Sequence, residues 1–466
     1  MSARPRPWFL RTYRRTEASL VVVVVAIAFL GFALVEGAAR IQQGVPPLPL
    51  PWDALRPPAV LALVLVGLHL LLRWRGTETE QLLLPITGLL LALGLTMIWR
   101  LRGDDGVWQQ VVRGLVPGAV LAGVVIARPA LIERVRREWP LVVSLGGLVL
   151  LMLTAFFGVV DESGARLALR IGPLAVQTSE IIKLSLIVFL AWYIESEWEE
   201  AEARAIDLGW IKLPALRYFV PGVLFVVLAI LALVKMADLG AILILGSLFV
   251  AMLYAGFQPR ILAPIATIGL LLSVAAGLFL ALVWEVPDVV QLRVAAFRDP
   301  WSQEPLLVEG QPTGLTIAEG PGYQIQQSVY ATVAGGLSGT GLGFGSPRNI
   351  PLAHSEFILA AIVEELGIIT GLAVLALFVV LCWRILRLGI MLPEAQMFER
   401  LLLVGIAIHF FTQVFVMGAG TFNLLPLTGI TVPFMSQGGV ALMVNLLEVG
   451  LALALAQRLQ PVEQAP

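Results

Sequence analysis

Residues 357–383 of this 466-residue chain read FILAAIVEELGIITGLAVLALFVVLCW, an apolar run whose only charged residues are two adjacent glutamates. An α-helix needs about 20 apolar residues to cross a hydrocarbon core of about 30 Å. Similar runs recur along nearly the whole chain, in which 58% of residues are hydrophobic and only 14% are charged. Together with a mean hydropathy of +0.89, they predict an all-α polytopic membrane protein.

Gly, Pro and charged residues divide the apolar runs into about twelve predicted transmembrane helices with soft boundaries. The first run is long enough to span a membrane and further spans follow it, so we predict a retained helix and not a cleaved signal peptide. The predicted spans lie near residues 18–38, 57–74, 81–99, 110–128, 139–160, 176–196, 218–236, 239–256, 260–284, 357–383, 400–420 and 433–457.

Arginine placement predicts the orientation of these helices. Five arginines precede the first span and four follow the fourth span. Because an excess of basic residues marks cytoplasmic loops, these segments are assigned to the cytoplasm, and an even number of spans then places both termini there. The segments predicted to face outward are residues 161–175, 237–238, 285–356 and 421–432.

Residues 285–356 form the longest connection between predicted spans. Structureless connections of more than about 12–15 residues are uncommon unless they are functional or disordered. Ile325, Val329, Val333 and Leu337 recur at helical spacing within this loop. They predict a short amphipathic segment lying in the outer membrane interface.

Charge and cysteine content exclude two classes of site. A net charge of -1 gives no global field that would attract nucleic acid. The single cysteine, Cys382, has no second thiol with which to form an intramolecular disulfide or a thiolate metal site.

Candidate functional acids stand where the long loop meets the tenth span. His354 and Glu356 lie at this junction. A carboxylate there is costly unless hydrated or paired, which favours a function, although an acid at a solvated helix start would also complement the helix dipole. Glu364 and Glu365 follow two turns later and predict either a polar cavity or hydrogen bonds to a neighbouring helix.

Other polar residues predict either local structural roles or further walls of an outer cavity. Glu180 and Lys183 have the i, i+3 spacing of an ion pair, and Lys183 could alternatively meet an anionic substrate. Asp238 is suited to cap the following helix or to add a third acid. Ser436 belongs to the Gly- and Pro-rich segment 420–439, and such broken backbone is tolerated at membrane depth only where it is buried in protein or lines a cavity.

Six short motifs occur in a specific order and spacing. They are QTSEIIK at 177–183, ADLG at 237–240, GYQIQQS at 322–328, GLGFG at 341–345, the HSEF and EELG run at 354–367, and LLPLTGITVPFMSQGG at 424–439. From about residue 81 to 457, the chain resembles the RodA and FtsW proteins of the SEDS family.

This resemblance implies a ten-helix integral membrane core at residues 81–466, which includes the long outer loop 285–356, and an extension of two helices at residues 1–80. It implies a multi-pass protein of the bacterial inner membrane that is a peptidoglycan glycosyltransferase. Such an enzyme joins lipid II disaccharide units into glycan strands at the outer face during elongation or division. It would contact membrane lipids and a class B penicillin-binding protein, a transpeptidase. A lipid II flippase and a non-catalytic scaffold for that partner are the alternatives.

The resemblance also implies roles for individual residues. Glu356 stands where the family usually has Asp, so it is the candidate general base. The pyrophosphate leaving group requires positive charge, which Arg, Lys or a divalent cation such as Mg²⁺ or Mn²⁺ could supply. No organic cofactor is expected. The candidate cations are Arg166, Arg170, Lys183 and Arg348, and the remaining predicted cavity residues are His354, Glu180, Asp238, Glu364 and Ser436.

The predicted topology can be tested by cysteine labelling in intact cells. A cysteine introduced within residues 285–356 should react with a membrane-impermeant reagent, because this loop is predicted to face outward. A cysteine introduced within residues 128–137 should react only after the cells are opened. Labelling of the long loop only in opened cells would overturn the topology.

Overall fold

The computed structural model describes residues 14–76, 79–159, 166, 168–172, 174–204, 206–207, 212–213, 217, 220–256, 288–308 and 311–459. The predicted span at 260–284 lies outside these residues. The other eleven predicted spans coincide with helices. The first eight helices in chain order are α1 (Arg15–Gln42), α2 (Trp52–Trp74), α3 (Leu83–Gln110), α4 (Val116–Ala127), α5 (Ala130–Arg137), α6 (Pro140–Phe157), α7 (Thr178–Ala203) and α8 (Val220–Met236).

Six further helices follow in the second part of the described chain. They are α9 (Leu239–Gly256), α10 (Asp288–Arg298), α11 (Pro321–Gly335), α12 (Ile358–Met391), α13 (Met397–Thr421) and α14 (Gly439–Ala456). Three antiparallel hairpins lie in the connections. They pair β1 (Ala168–Ile171) with β2 (Leu174–Gln177), β3 (Ile206–Asp207) with β4 (Lys212–Leu213), and β5 (Pro305–Val308) with β6 (Gln311–Thr316).

Eight helical runs in the described residues are long and apolar enough to cross a membrane. One of them, Leu83–Ala127, has 45 residues and covers two predicted spans. Gly103 breaks it with φ 65° and ψ −155°, and a π-helical turn at Val111–Leu115 joins α3 to α4. At 1.5 Å per residue an unbroken helix of this length would extend about 68 Å, so the break is compatible with two crossings. The shorter α8 and the charge-bearing α7 fall outside the eight, and the prediction of about twelve spans remains compatible with the structure.

The long connection 285–356, predicted to face outward, is more structured than its sequence indicated. It contains α10, the β5–β6 hairpin and α11, and the predicted amphipathic segment is indeed helical. Ile325 is buried, whereas Val333 and Leu337 are 74% and 70% exposed, and the position of this segment in the membrane interface stays a prediction. The C-terminal turn of α11 packs through Gly335, where an added Cβ would lie 2.0 Å from the carbonyl oxygen of Val363. Close backbone packing selects small residues over large apolar ones.

The chain divides into two compact units, the first of which combines residues 1–133, 327–392 and 431–466. In this unit α1 packs on α2 and α3, and α4 packs on α14. Small residues allow close helix contacts, because a Cβ added at Gly94 would lie 2.5 Å from the Cα of Met435. The aromatic rings of Phe32 and Trp99 join α1 to α3 with centroids 5.5 Å apart.

Buried ion pairs and hydrogen bonds join α1 to α2 within this unit. The guanidinium of Arg14 hydrogen-bonds the carboxylate of Glu17, which also lies 2.6 Å from Nδ1 of His69. Arg14 donates a second bond to the carbonyl of Glu80, 2.6 Å away, and the Glu80 carboxylate accepts from Arg384 at 2.7 Å. Charges can be buried only when they are paired and hydrogen-bonded in this way.

The second unit combines residues 134–326 and 393–430. Here α6 packs on α7 and α8, and α13 packs on α7 and α9. The rings of Phe189 and Phe225 stack with centroids 4.5 Å apart. Arg136 binds the carboxylate of Glu195 through two nitrogens, at 2.7 and 2.8 Å.

Replacing Glu17 by Ala should destabilise the first unit strongly, because Arg14 would keep a buried charge without its carboxylate. Breaking a buried pair costs about 3–5 kcal/mol, whereas an exposed pair contributes about 0–1 kcal/mol. The matched control is Asp53→Ala, since the Asp53 and Arg56 side chains are 58% and 48% exposed. Thermal unfolding of the purified variants measures the difference. Equal melting temperatures for the two variants would contradict a stabilising role for the Arg14 and Glu17 pair.

Candidate active site

Glu356 lies in a tight turn immediately before α12. Leu352 adopts a left-handed conformation with φ 55°. Its carbonyl accepts the N–H groups of Ser355 and Glu356 at 2.9 and 3.1 Å. A non-glycine residue held in this conformation costs on the order of 1–3 kcal/mol and persists only where the surroundings enforce it. The half-buried side chain of Glu356 is thus carried by backbone that is held in place.

The segment 431–438 stabilises this turn through hydrogen bonds. The Ser436 hydroxyl donates to the carbonyl of Ser355, and its oxygen accepts the N–H of Val432 at 2.8 Å. The N–H of Gln437 donates to the carbonyl of His354 at 2.8 Å. The structure therefore brings together three of the predicted site residues: His354, Glu356 and Ser436.

Gln110 supports the segment 431–438, and sequence reasoning missed it. Its Nε2 donates to the carbonyl of Ser436 at 3.0 Å, and its Oε1 accepts the N–H of Gly438 at 2.9 Å. The side chain is buried. The only sequence signal was a polar amide at the start of a predicted span.

One histidine and two arginines lie near the turn that carries Glu356. His354 is half-buried, and burial together with the nearby Arg102 lowers its pKa below the ordinary value, so its ring is neutral at pH 7. Arg348 is exposed and donates to the carbonyl of Arg100 at 3.2 Å. Arg102 was not among the predicted site residues.

The two adjacent glutamates of α12 anchor the glycine-rich segment 339–346. The Glu365 carboxylate is fully buried, pairs with Arg100 at 2.9 Å and accepts the N–H of Gly343 at 3.0 Å. Glu364 accepts the N–H of Ser346 at 2.7 Å. Of the two predicted explanations, hydrogen bonding accounts for both side chains, and Glu365 does reach a neighbouring helix.

A second buried polar cluster lies in the second unit. The Lys183 ammonium is 2.8 Å from the Glu180 carboxylate, which confirms the predicted ion pair, and it donates to Gln413 at 3.1 Å. Asp238 accepts the N–H of Ala241 at 2.9 Å, which confirms the predicted cap of α9. Burial raises the pKa of Asp238 despite the opposing effects of this hydrogen bond and of Lys183.

Arg166 and Arg170 belong to the segment 161–175, which is predicted to face outward. The backbone N–H of Arg166 donates to the carbonyl of Met236 at 3.1 Å, and its guanidinium donates to the carbonyl of Phe156 at 3.2 Å. Arg166 therefore sits at the ends of α6 and α8. Arg170 is exposed on β1.

Among the described residues, no group of three or more His, Cys, Asp or Glu side chains could hold a metal ion.

The fold and the two clusters define a class: a multi-pass helical membrane protein with polar sites built from broken helices and buried charges. A family model described as "Cell cycle protein", FTSW_RODA_SPOVE, matches residues 79–460. The chain belongs to this family, which confirms the assignment made from its motifs.

Individual relatives agree with this assignment. Peptidoglycan glycosyltransferase RodA of Mycobacterium tuberculosis is 31% identical over 447 residues, covering 94% of this chain and 89% of the relative. Stage V sporulation protein E of Bacillus subtilis is 30% identical and covers 81% of this chain and 97% of the relative. Because the mycobacterial likeness covers 94% of the chain, it extends into the two N-terminal helices.

A solved structure has the same fold. It is a chain from work on the coordination of polymerization and crosslinking by a peptidoglycan synthase complex. The likeness has a TM-score of 0.61 at 23% identity, and it covers 82% of this chain and 98% of that one.

Replacing Lys183 by Met should reduce the yield of folded protein, because the buried carboxylate of Glu180 would lose its ammonium partner at a cost of about 3–5 kcal/mol. Adding Glu180→Gln should restore part of the loss by removing this charge. The control is Lys235→Met, since Lys235 is exposed. Size-exclusion chromatography of the expressed variants measures folded yield, and a normal yield for the single variant would show that the pair is not needed for folding.

Proposed function

We propose that this protein is a peptidoglycan glycosyltransferase that joins lipid II disaccharide units into glycan strands at the outer face of the bacterial inner membrane, during elongation or division. The observation that supports this most is the placement of Glu356. Its turn is hydrogen-bonded to the segment 431–438, which belongs to the motif at 424–439, through the carbonyls of His354 and Ser355. The names of the relatives, peptidoglycan glycosyltransferase RodA among them, agree with it.

One carboxylate suffices for this reaction. The acceptor hydroxyl attacks the anomeric carbon of the donor sugar, the bond from that carbon to the pyrophosphate oxygen breaks, and the hydroxyl proton passes to Glu356. Pyrophosphate leaves as an anion without being protonated, so no second acid is needed, in contrast to glycoside hydrolysis with its two carboxylates. The half-buried position of Glu356 suits a base that must be both reachable and partly desolvated.

The leaving pyrophosphate is stabilised by positive charge. In the first unit, Arg102 and Arg348 are exposed cations near the turn or on the adjoining loop. In the second unit, Arg166 and Lys183 are the candidates, although Lys183 is already committed to Glu180 and Gln413. Arg102 and Arg348 belong to the same unit as Glu356, which favours them as the groups that meet the pyrophosphate.

A divalent cation, Mg²⁺ or Mn²⁺, is compatible with this chemistry. Mg²⁺ is commonly held by one or two carboxylates together with substrate phosphates and water, so Glu356 or Asp238 could hold it without a dedicated protein cage. When bound, such an ion would neutralise charge on the pyrophosphate. Asp238 is the less suited of the two, because its carboxylate already caps α9.

The proposed partner is a class B penicillin-binding protein, whose transpeptidase activity would crosslink the new strands. The similar fold found in a peptidoglycan synthase complex that polymerizes and crosslinks supports this pairing. The proposed topology has both termini in the cytoplasm, which leaves the Glu356 turn on the side where lipid II is used.

A lipid II flippase is the second candidate, because the span formed by α12 is broken at a glycine. Gly367 has φ 85° and ψ 163° inside this helical run, and discontinuous helices are typical of alternating-access carriers. The hydrogen bonds that anchor segment 339–346 to α12 favour a fixed arrangement over a moving one.

Glu356→Gln should lower lipid II polymerisation about 10²–10⁴-fold, the usual contribution of a general base, while the abundance of the protein stays normal. Glu356→Asp should retain activity, because it keeps the carboxylate. Glu364→Gln is the matched control, since Glu364 binds backbone at Ser346 and has no proposed chemical role. Polymerisation of labelled lipid II by the purified variants measures the effect. Near-normal activity of Glu356→Gln would remove Glu356 from the mechanism.

A further inference from the structure

Gln110 is a costly residue for its position. Its amide is buried at the start of a predicted span, a few residues after the charged stretch 100–105. Burying an amide is costly unless its polar atoms are hydrogen-bonded. Both polar atoms of this side chain are used, one on the carbonyl of Ser436 and the other on the N–H of Gly438.

The backbone around Gln110 is shaped to fit the same segment. Gln110 immediately precedes the π-helical turn Val111–Leu115, and such turns are frequent at functional sites. A Cβ added at Gly439 would lie 2.8 Å from Cβ of Arg113. The Gln437 side chain also reaches the carbonyl of Gly106 at 3.4 Å. This stretch and residues 436–439 therefore fit closely.

We propose that Gln110 is a positioning residue for Glu356. It fixes the backbone of Ser436 and Gly438. Ser436 and Gln437 in turn hold the two carbonyls that immediately precede Glu356, those of Ser355 and His354. The assignment rests on the proposed function only for the role of Glu356, because the chain of hydrogen bonds exists whatever the reaction.

An amide of this length satisfies both backbone groups. An ionised glutamate would accept from Gly438 but would place a carboxylate oxygen against the Ser436 carbonyl. A methionine of similar size would leave one buried acceptor and one buried donor unsatisfied, at about 1–3 kcal/mol each. Either change releases the segment 436–438 and, through it, the turn that carries Glu356.

Gln110→Met should lower kcat for polymerisation roughly 10- to 100-fold with little change in KM, because a displacement of about 1 Å at a catalytic group can cost about 10²-fold. Gln110→Leu should behave in the same way, because it also lacks both polar atoms, and it serves as the second variant if the first does not fold. The matched control is Gln109→Met, because Gln109 is the adjacent residue and is exposed.

Two further readouts separate positioning from general stability. In lipid nanodiscs, hydrogen–deuterium exchange at the amides of Gln437 and Gly438 should be faster in Gln110→Met than in the wild type and in Gln109→Met. In a Glu356→Gln background, Gln110→Met should lower activity no further, since residues that act through one group are not additive.

Each outcome is decisive. Unchanged exchange at Gln437 and Gly438 would overturn the proposed hydrogen bonds, and faster exchange with unchanged kcat would overturn the positioning role. A further loss of activity in the Glu356→Gln background would show that Gln110 acts elsewhere. If Glu356→Gln itself polymerises normally, the proposed base is wrong, and this result is distinct because the exchange measurement does not depend on activity.

Discussion

The backbone of a membrane-spanning chain must satisfy its own hydrogen bonds, because the hydrocarbon core offers no water to do so. This chain departs from regular helix at Gly103, at the π turn Val111–Leu115 and in the segment 431–438. In the first unit, side chains and backbone of other segments form hydrogen bonds with backbone N–H and C=O groups that have no partner within a helix. Gln110 and Ser436 do this for the segment before α14, and Glu364 and Glu365 do it for the loop before α12. The same hydrogen bonds hold in place the turn that carries Glu356.

Buried charges follow the same constraint. Glu17, Glu80 and Glu365 of the first unit each have an arginine partner, and Lys183 of the second unit bridges Glu180 and Gln413. Such pairs stabilise little relative to an apolar replacement, but they are strongly destabilising when one partner is removed. Glu356 differs from Glu365 in being only half-buried and in lying in a turn, outside the helix. This is the environment expected of a carboxylate that exchanges a proton with a substrate.

Local patterns in the sequence predicted local structure well. The length of the apolar runs predicted the helices, and the i, i+3 spacing predicted the ion pair of Glu180 and Lys183. The position of Asp238 predicted that it caps α9. The close packing of α11 at Gly335 could not be predicted, because an apolar pattern does not detect where small residues allow backbones to approach. Gln110 and Gln413 could not be predicted, since their partners lie 326 and 230 positions away in the chain. The resemblance supplied the role of Glu356, which spacing alone left open.

The most direct test is to reconstitute the purified protein in lipid vesicles with lipid II labelled on its disaccharide, with and without the proposed transpeptidase partner. A polymerase should consume lipid II and produce a ladder of glycan strands, and the Glu356→Gln variant should produce almost none. Transfer of intact lipid II between leaflets without any polymer, by the wild type in either condition, would contradict the account and favour a carrier.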